Sequence, residues 1–126
     1  MTSGDMFYGT VAHGTASIVG AAKTSICSIS LVKYPDWAIL AHLIGTGLDT
    51  ADTNAIVGIN KLYLVSPGNV TPVVGSDTKT MIDPGIFGWT LALEYAAPYL
   101  HAYATGGEGK TIRWKARIVF DAVKLL

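Results

Sequence analysis

The chain has 126 residues and no net charge, and 14% of its residues are charged whereas 50% are hydrophobic. This length suits one ordinary domain, which we expect to span residues 1–126. So few charged groups leave a free surface poorly solvated, and the mean hydropathy of +0.40 is high for a soluble monomer. We therefore expect partner proteins to cover much of the surface.

Glycine and proline separate a series of short apolar runs, which is typical of an all-β domain. In chain order, the first candidate strands are residues 6–12, 15–20, 24–33, 55–65, 70–75 and 88–95. Segment 35–44 is ambiguous, because Pro35 and Asp36 suit the start of a short helix, whereas Trp37 and Ile39 fit a buried strand. We favour the strand, since the surrounding segments are β.

The last candidate strand carries the clearest pattern. From Ile112 to Ala122 every second residue is apolar, and charged residues occupy most of the positions between them. This period of two indicates a half-buried strand with Trp114 in the core. The glycine-rich run 106–109 predicts a tight turn before it, with residues 99–104 as the other arm of a hairpin.

Eight or nine short strands in a chain of this length predict an all-β fold. The expected architecture is a single-domain antiparallel β-sandwich, with a jelly roll as the narrower expectation.

The charges are unevenly distributed along the chain. Residues 110–126 hold five basic residues and one acidic residue, a net charge of +4, whereas residues 1–109 hold four basic and eight acidic residues, a net charge of −4. Arg113, Lys115 and Arg117 alternate with the apolar residues of the last strand, so they project together from one face. We predict that they form an interface, meeting carboxylates on a neighbouring strand or on a partner. The alternative is a solvated strand face.

No constellation of catalytic or metal-binding residues stands out, so the chain is expected not to be an enzyme and to need no cofactor or metal. His13, His42 and His101 are far apart, and Cys27 is the single cysteine. Residues 104–111 match a loose phosphate-binding loop, but the alternating strand that follows cannot supply the helix N-terminus that such a loop requires. Nucleic-acid binding is not expected, because no exposed aromatic residues are interleaved with the basic ones.

Neither a membrane span nor a signal peptide is expected. The longest strongly apolar stretch, residues 37–48, has 12 residues, whereas a spanning helix needs about 20. The first five residues contain no basic segment of the kind that begins a signal peptide. We expect synthesis in the cytoplasm of a host cell.

The short, charge-poor β pattern that ends in residues 110–121 resembles the small cement or decoration proteins on the heads of tailed bacteriophages. That resemblance implies a head-stabilising protein on the capsid surface of a virion. Its implied partners are the major capsid protein and copies of itself in a dimer or trimer. The alternative is a carbohydrate- or ligand-binding β-sandwich module, which would expose two or three of its tryptophans and tyrosines in a concave cleft.

Overall fold

The computed structural model describes residues 6–66, 69–82, 86 and 88–124. These residues form strands that alternate with short turns. The strands are β1 (Met6–Val19), β2 (Thr24–Ser30), β3 (Trp37–Asp49), β4 (Asp52–Ser66), β5 (Asn69–Pro72), β6 (Thr78–Met81), β7 (Thr90–Ala96), β8 (Tyr99–Thr105) and β9 (Thr111–Lys124).

The strands form two antiparallel sheets that pack face to face. The large sheet has six strands in the order β1-β9-β3-β4-β5, with β6 also paired to β4. The small sheet has three strands in the order β2-β8-β7. The predicted all-β, antiparallel sandwich is confirmed. The narrower expectation of a jelly roll is not confirmed, because a jelly roll divides its strands equally between two sheets. Segment 35–44 enters β3, so the strand interpretation holds there.

The alternation of β9 builds the centre of the core. Its even-numbered residues from Ile112 to Ala122 point toward the small sheet and are at most 1% exposed. Trp114 is fully buried, as predicted, and Phe120 packs edge-to-face against Tyr34. Because β9 lies between β1 and β3, its inner face is shielded by both neighbours as well as by the opposite sheet.

Three glycines of the large sheet point inward and allow close packing. A Cβ added at Gly14 would collide with the backbone oxygen of Ile26 in β2. One at Gly45 would collide with Leu91 in β7, and one at Gly47 would lie 2.8–2.9 Å from three carbons of the Trp114 ring. These contacts are shorter than the ~3.5–4.0 Å at which carbon atoms pack, so side chains at these positions would push neighbouring elements apart.

The predicted hairpin between residues 99–104 and the last strand is wrong. β8 pairs with β2 and β7 in the small sheet, whereas β9 pairs with β1 and β3 in the large sheet. The glycine-rich segment is a turn, closed by a hydrogen bond from the N–H of Lys110 to the oxygen of Gly107. This turn carries the chain from the small sheet to the large sheet. The strands before and after it lie in different sheets that pack face to face, so they do not pair with each other.

Several strand boundaries also differ from the prediction, and one strand was not predicted at all. β1 is one continuous strand through residues 6–19, with a register shift between Thr10 and Ala12 that absorbs an extra residue. β6 was not predicted, because its sequence Thr-Lys-Thr-Met has only one apolar residue. Among the described residues, no helix is long and apolar enough to cross a membrane.

Candidate interaction surface

The sandwich has two outward faces, one on each sheet. We call them the large-sheet face, formed by the outward residues of β1, β9, β3 and β4, and the small-sheet face, formed by those of β2, β8 and β7. The predicted interface residues lie on the large-sheet face.

Arg113, Lys115 and Arg117 form a basic row along the outer side of β9, and all three are exposed. Their cross-strand neighbours on β1 are Ser17, Thr15 and His13, and those on β3 are Leu48, Thr46 and Ile44. None of these neighbours is a carboxylate, and the basic row forms no ion pair with any other described residue. The expectation that a neighbouring strand supplies carboxylates is therefore wrong, and the expectation that a partner supplies them stays a prediction.

Beside the basic row, β3 and β4 expose an apolar strip. Leu64 is 57% exposed and lies opposite Leu40, while Leu48 lies opposite Ile56. The complete strip consists of Leu40, Ile44, Leu48, Ile56, Leu62 and Leu64. A hydrogen bond of 3.1 Å between the His42 ring and the Asn60 side-chain oxygen interrupts it near its centre. The large-sheet face therefore combines unpaired cations with exposed aliphatic side chains.

Two shallow depressions lie on this same face. The first, the basic concavity, has a volume of about 780 Å³ over β1, β9 and β3. Its outward side chains are His13, Thr15, Ile44, Thr46, Lys115 and Arg117. The second has a volume of about 570 Å³ and lies beside Leu40, Leu64, Asp121 and Val123. Arg113 lines neither of them.

The small-sheet face has a different character, because its polar groups satisfy one another. Tyr99, His101 and Tyr103 form an aromatic row along β8, with the His101 and Tyr103 rings stacked at 5.1 Å between centroids. The Ser25 hydroxyl is 3.0 Å from Nδ1 of His101. The Lys23 ammonium is 2.8 Å from a Glu94 carboxylate oxygen and 4.8 Å from the centre of the Tyr103 ring. The polar and charged groups of this surface therefore have partners within the chain.

One end of the sandwich holds an end cavity of about 270 Å³. Tyr34, Trp37 and Tyr95 contribute aromatic rings to it, and Tyr34 and Trp37 pack edge-to-face with centroids 5.8 Å apart. The remaining lining residues are Leu31, Val32, Pro35, Ile39, Val65, Ser66 and Pro98. None of the described residues that line the cavity has a carboxylate or amide side chain, so a ligand would be held mainly by contact with the aromatic rings.

The segment that resembles a phosphate-binding loop is engaged within the chain. The ammonium of Lys110 lies 3.4 Å from the carboxylate of Asp49, which is almost completely buried. The N–H of Ala51 donates a hydrogen bond to that carboxylate, and together with Lys110 it lowers the pKa of Asp49. The following residues form β9 instead of a helix, so the geometry required for a phosphate loop is missing. The ion pair between Lys110 and Asp49 instead links this turn to the β3–β4 hairpin.

The histidines and the cysteine do not converge. His13 and His42 lie on the large-sheet face, whereas His101 lies on the opposite side of the molecule. Cys27 is half-buried between the sheets, and burial raises the pKa of its thiol. In the part of the chain that the structure describes, no group of three or more histidine, cysteine or acidic side chains could hold a metal ion.

The sequence pattern gave the position of the basic row but did not indicate the apolar strip. The apolar residues of segment 35–44 fit a strand buried on both faces, and that pattern does not distinguish outward residues from core residues. The available signal was the polar residues Thr46, Asn60 and His42, which mark the solvent side of β3 and β4.

Comparison with known proteins gives similarity in fold alone. No protein-family model matches the chain, and no curated protein matches its sequence. The tailspike protein of Acinetobacter baumannii phage AM24 is similar over 95% of this chain, with a TM-score of 0.54 and 8% identity. The tailspike protein of Acinetobacter phage vB_ApiP_P1 is similar over 93%, with a TM-score of 0.42 and 8% identity. This chain spans 26% and 22% of the lengths of those two chains.

Proposed function

We propose that the chain is a structural module of a bacteriophage virion that acts by binding other virion proteins and not by catalysis. The contrast between its two outward faces carries the proposal. The small-sheet face pairs its lysine, glutamate and histidine internally. On the large-sheet face no described carboxylate pairs with the three cations, which lie beside the exposed Leu64 and five half-buried aliphatic residues. An apolar patch with a charged border is typical of a protein-binding surface.

The fold similarity to the phage AM24 tailspike supports the virion part of this proposal. Two positions in a particle agree with it. The resemblance of the sequence to cement proteins suggests the head surface, with the major capsid protein and sister copies as partners. The similarity to a tailspike suggests a tail or receptor-binding assembly equally well.

A direct test is quantitative mass spectrometry of purified particles of the phage that encodes the chain. The proposal predicts a fixed number of copies per particle, and immunogold labelling would then distinguish the head from the tail. Absence of the chain from purified particles would contradict the proposal.

Charge insertion tests which face docks. Leu64 on the large-sheet face is 57% exposed, and Tyr99 on the small-sheet face is 46% exposed, so the two positions form a matched pair. Leu64→Glu should reduce the number of copies per particle, whereas Tyr99→Glu should leave it unchanged. The double variant Arg113→Glu with Arg117→Glu should also block incorporation while leaving the fold intact. Equal incorporation of Leu64→Glu and wild type would refute the assignment of the large-sheet face.

The end cavity favours a second candidate, a ligand- or carbohydrate-binding module. It brings three partly exposed aromatic side chains into one concave site, which is the arrangement expected of such a module. Trp37 is only half-buried, whereas Trp89 and Trp114 are 3% and 0% exposed, so a bound sugar should change the fluorescence of Trp37 selectively. A saturable change that Trp37→Phe abolishes would favour this candidate, and a flat response to a panel of oligosaccharides would contradict it.

A further inference from the structure

We propose that the basic concavity is a binding site for carboxylate side chains of an acidic protein segment. This inference rests on the proposed docking of the large-sheet face and specifies the chemistry of the partner. The concavity and two of the unpaired cations, Lys115 and Arg117, lie at the same place on the large-sheet face.

The strand register concentrates positive charge and hydroxyl donors in one place. His13 lies directly opposite Arg117, while Lys115 lies between Thr15 on β1 and Thr46 on β3. Guanidinium groups bind carboxylates through two parallel hydrogen bonds, and the threonine hydroxyls can donate further ones. The concavity is therefore built for a planar anion with several acceptor atoms.

Within the described part of the chain, no carboxylate pairs with these cations. Lys115 and Arg117 are about 7 Å apart along the strand, within the ~8 Å screening length at physiological salt, so they repel each other. Asp121, the acidic residue on the same side of β9, lies four residues beyond Arg117, about 13 Å away along the backbone. It forms no ion pair with the basic row. An external carboxylate would remove the repulsion.

The surroundings favour an acidic protein over a nucleic acid or an anionic glycan. Ile44 lines the concavity itself, and the apolar strip continues along β3 and β4. A segment that contains both acidic and aliphatic side chains would contact the basic concavity and the apolar strip at once. Single-stranded nucleic acid is usually held by tyrosine, tryptophan or phenylalanine rings on which the bases stack, and none of the described residues that line the concavity is one of these.

The basic row contains its own matched control. Arg113 is exposed on the same face of the same strand as Arg117, but it lies outside the concavity. Arg117→Gln and Arg113→Gln therefore remove the same charge from the same element, and only Arg117→Gln changes the proposed site. A uniform electrostatic effect would make the two variants equivalent.

The test uses isotope-labelled full chain and three probes, a capped hexaglutamate peptide, a capped hexaglutamine peptide and a sulfated oligosaccharide. Hexaglutamate should shift the amide resonances of Thr15, Thr46, Lys115 and Arg117, and hexaglutamine should not. Arg117→Gln should weaken hexaglutamate binding about tenfold, while Arg113→Gln should change it less than about threefold. Equal loss in both variants, or shifts spread over every lysine of the chain, would overturn the proposal. Binding of the sulfated oligosaccharide without binding of hexaglutamate would overturn it in favour of an anionic glycan.

Incorporation into particles separates this inference from the proposed function. If Leu64→Glu blocks incorporation and the double variant Lys115→Gln with Arg117→Gln does not, the large-sheet face docks but the carboxylate site is wrong. If neither variant changes the number of copies per particle, the docking of the large-sheet face and the carboxylate site are both wrong. This inference predicts that Leu64→Glu and the Lys115→Gln, Arg117→Gln double variant both lose incorporation. Arg113→Gln should be incorporated like the wild type.

Discussion

Gly47→Ala tests the packing of the large sheet beside its central tryptophan. Gly47 on β3 lies opposite Trp114 on β9, and an added Cβ would be 2.8–2.9 Å from three carbons of the indole ring. The overlap relative to normal carbon contact is about 0.6–1 Å. Trp114 is 0% exposed, so its ring has no free space into which to move. Overpacking of this kind costs about 1–3 kcal/mol.

Chemical and thermal unfolding followed by circular dichroism measure that cost. For a domain of this size we expect Gly47→Ala to lower Tm by about 5–15 °C. Gly58→Ala is the matched control, because Gly58 faces outward on β4 and a Cβ there would meet no atom within 4 Å. That change should be neutral or stabilising by up to about 1 kcal/mol, since alanine loses less conformational freedom on folding.

A double-mutant cycle identifies the cause of the effect. Trp114→Phe removes the outer ring carbons that the new methyl group would contact, so Gly47→Ala should cost much less in that background than in the wild type. Equal costs in the two backgrounds would refute the steric explanation. A Gly47→Ala variant as stable as Gly58→Ala would refute the assigned register between β3 and β9.

The remaining predictions concern the core, the buried carboxylate and the thiol. Trp114→Ala should cost about 3–5 kcal/mol, and an unchanged Tm would contradict its burial. The lowered pKa of Asp49 means that its charge stabilises the fold above its ordinary value of 3.8, and this contribution is lost as pH falls below that value toward the folded-state pKa. Urea unfolding of Asp49→Asn should therefore vary less with pH below about pH 4 than the wild type does, and parallel curves would refute the assignment. Because burial raises the pKa of Cys27, a thiol reagent at about pH 8 should react more slowly with the folded chain than with the unfolded chain, and equal rates would contradict the burial.

The sequence predicted local strand structure well because alternation is a local property. The period of two in β9 correctly placed Trp114 inside and the basic row outside. The surrounding β segments favoured a strand for residues 35–44, and β3 begins at Trp37. Composition and turn residues were sufficient to predict an all-β sandwich.

Strand pairing could not be predicted in the same way, because it depends on contacts that are distant in sequence. The turn at residues 106–109 is short enough for a hairpin, and the pattern of residues 99–104 is compatible with one. In the structure β8 pairs with β2, which lies about 70–80 residues away, and the small sheet that they form packs against the inward side of β9. The apolar strip was missed for a related reason. The outward side of β3 is exposed because the small sheet packs against the opposite side of the large sheet.

The central claim is that the large-sheet face docks and the small-sheet face remains free. Lysine acetylation measured by mass spectrometry, on the free chain and on assembled particles, tests this most directly. Lys115 lies on the large-sheet face, and Lys23 contacts Glu94 and Tyr103 on the small-sheet face. We predict that assembly strongly slows acetylation of Lys115 and leaves that of Lys23 unchanged. Protection of Lys23 with continued acetylation of Lys115 would contradict the claim.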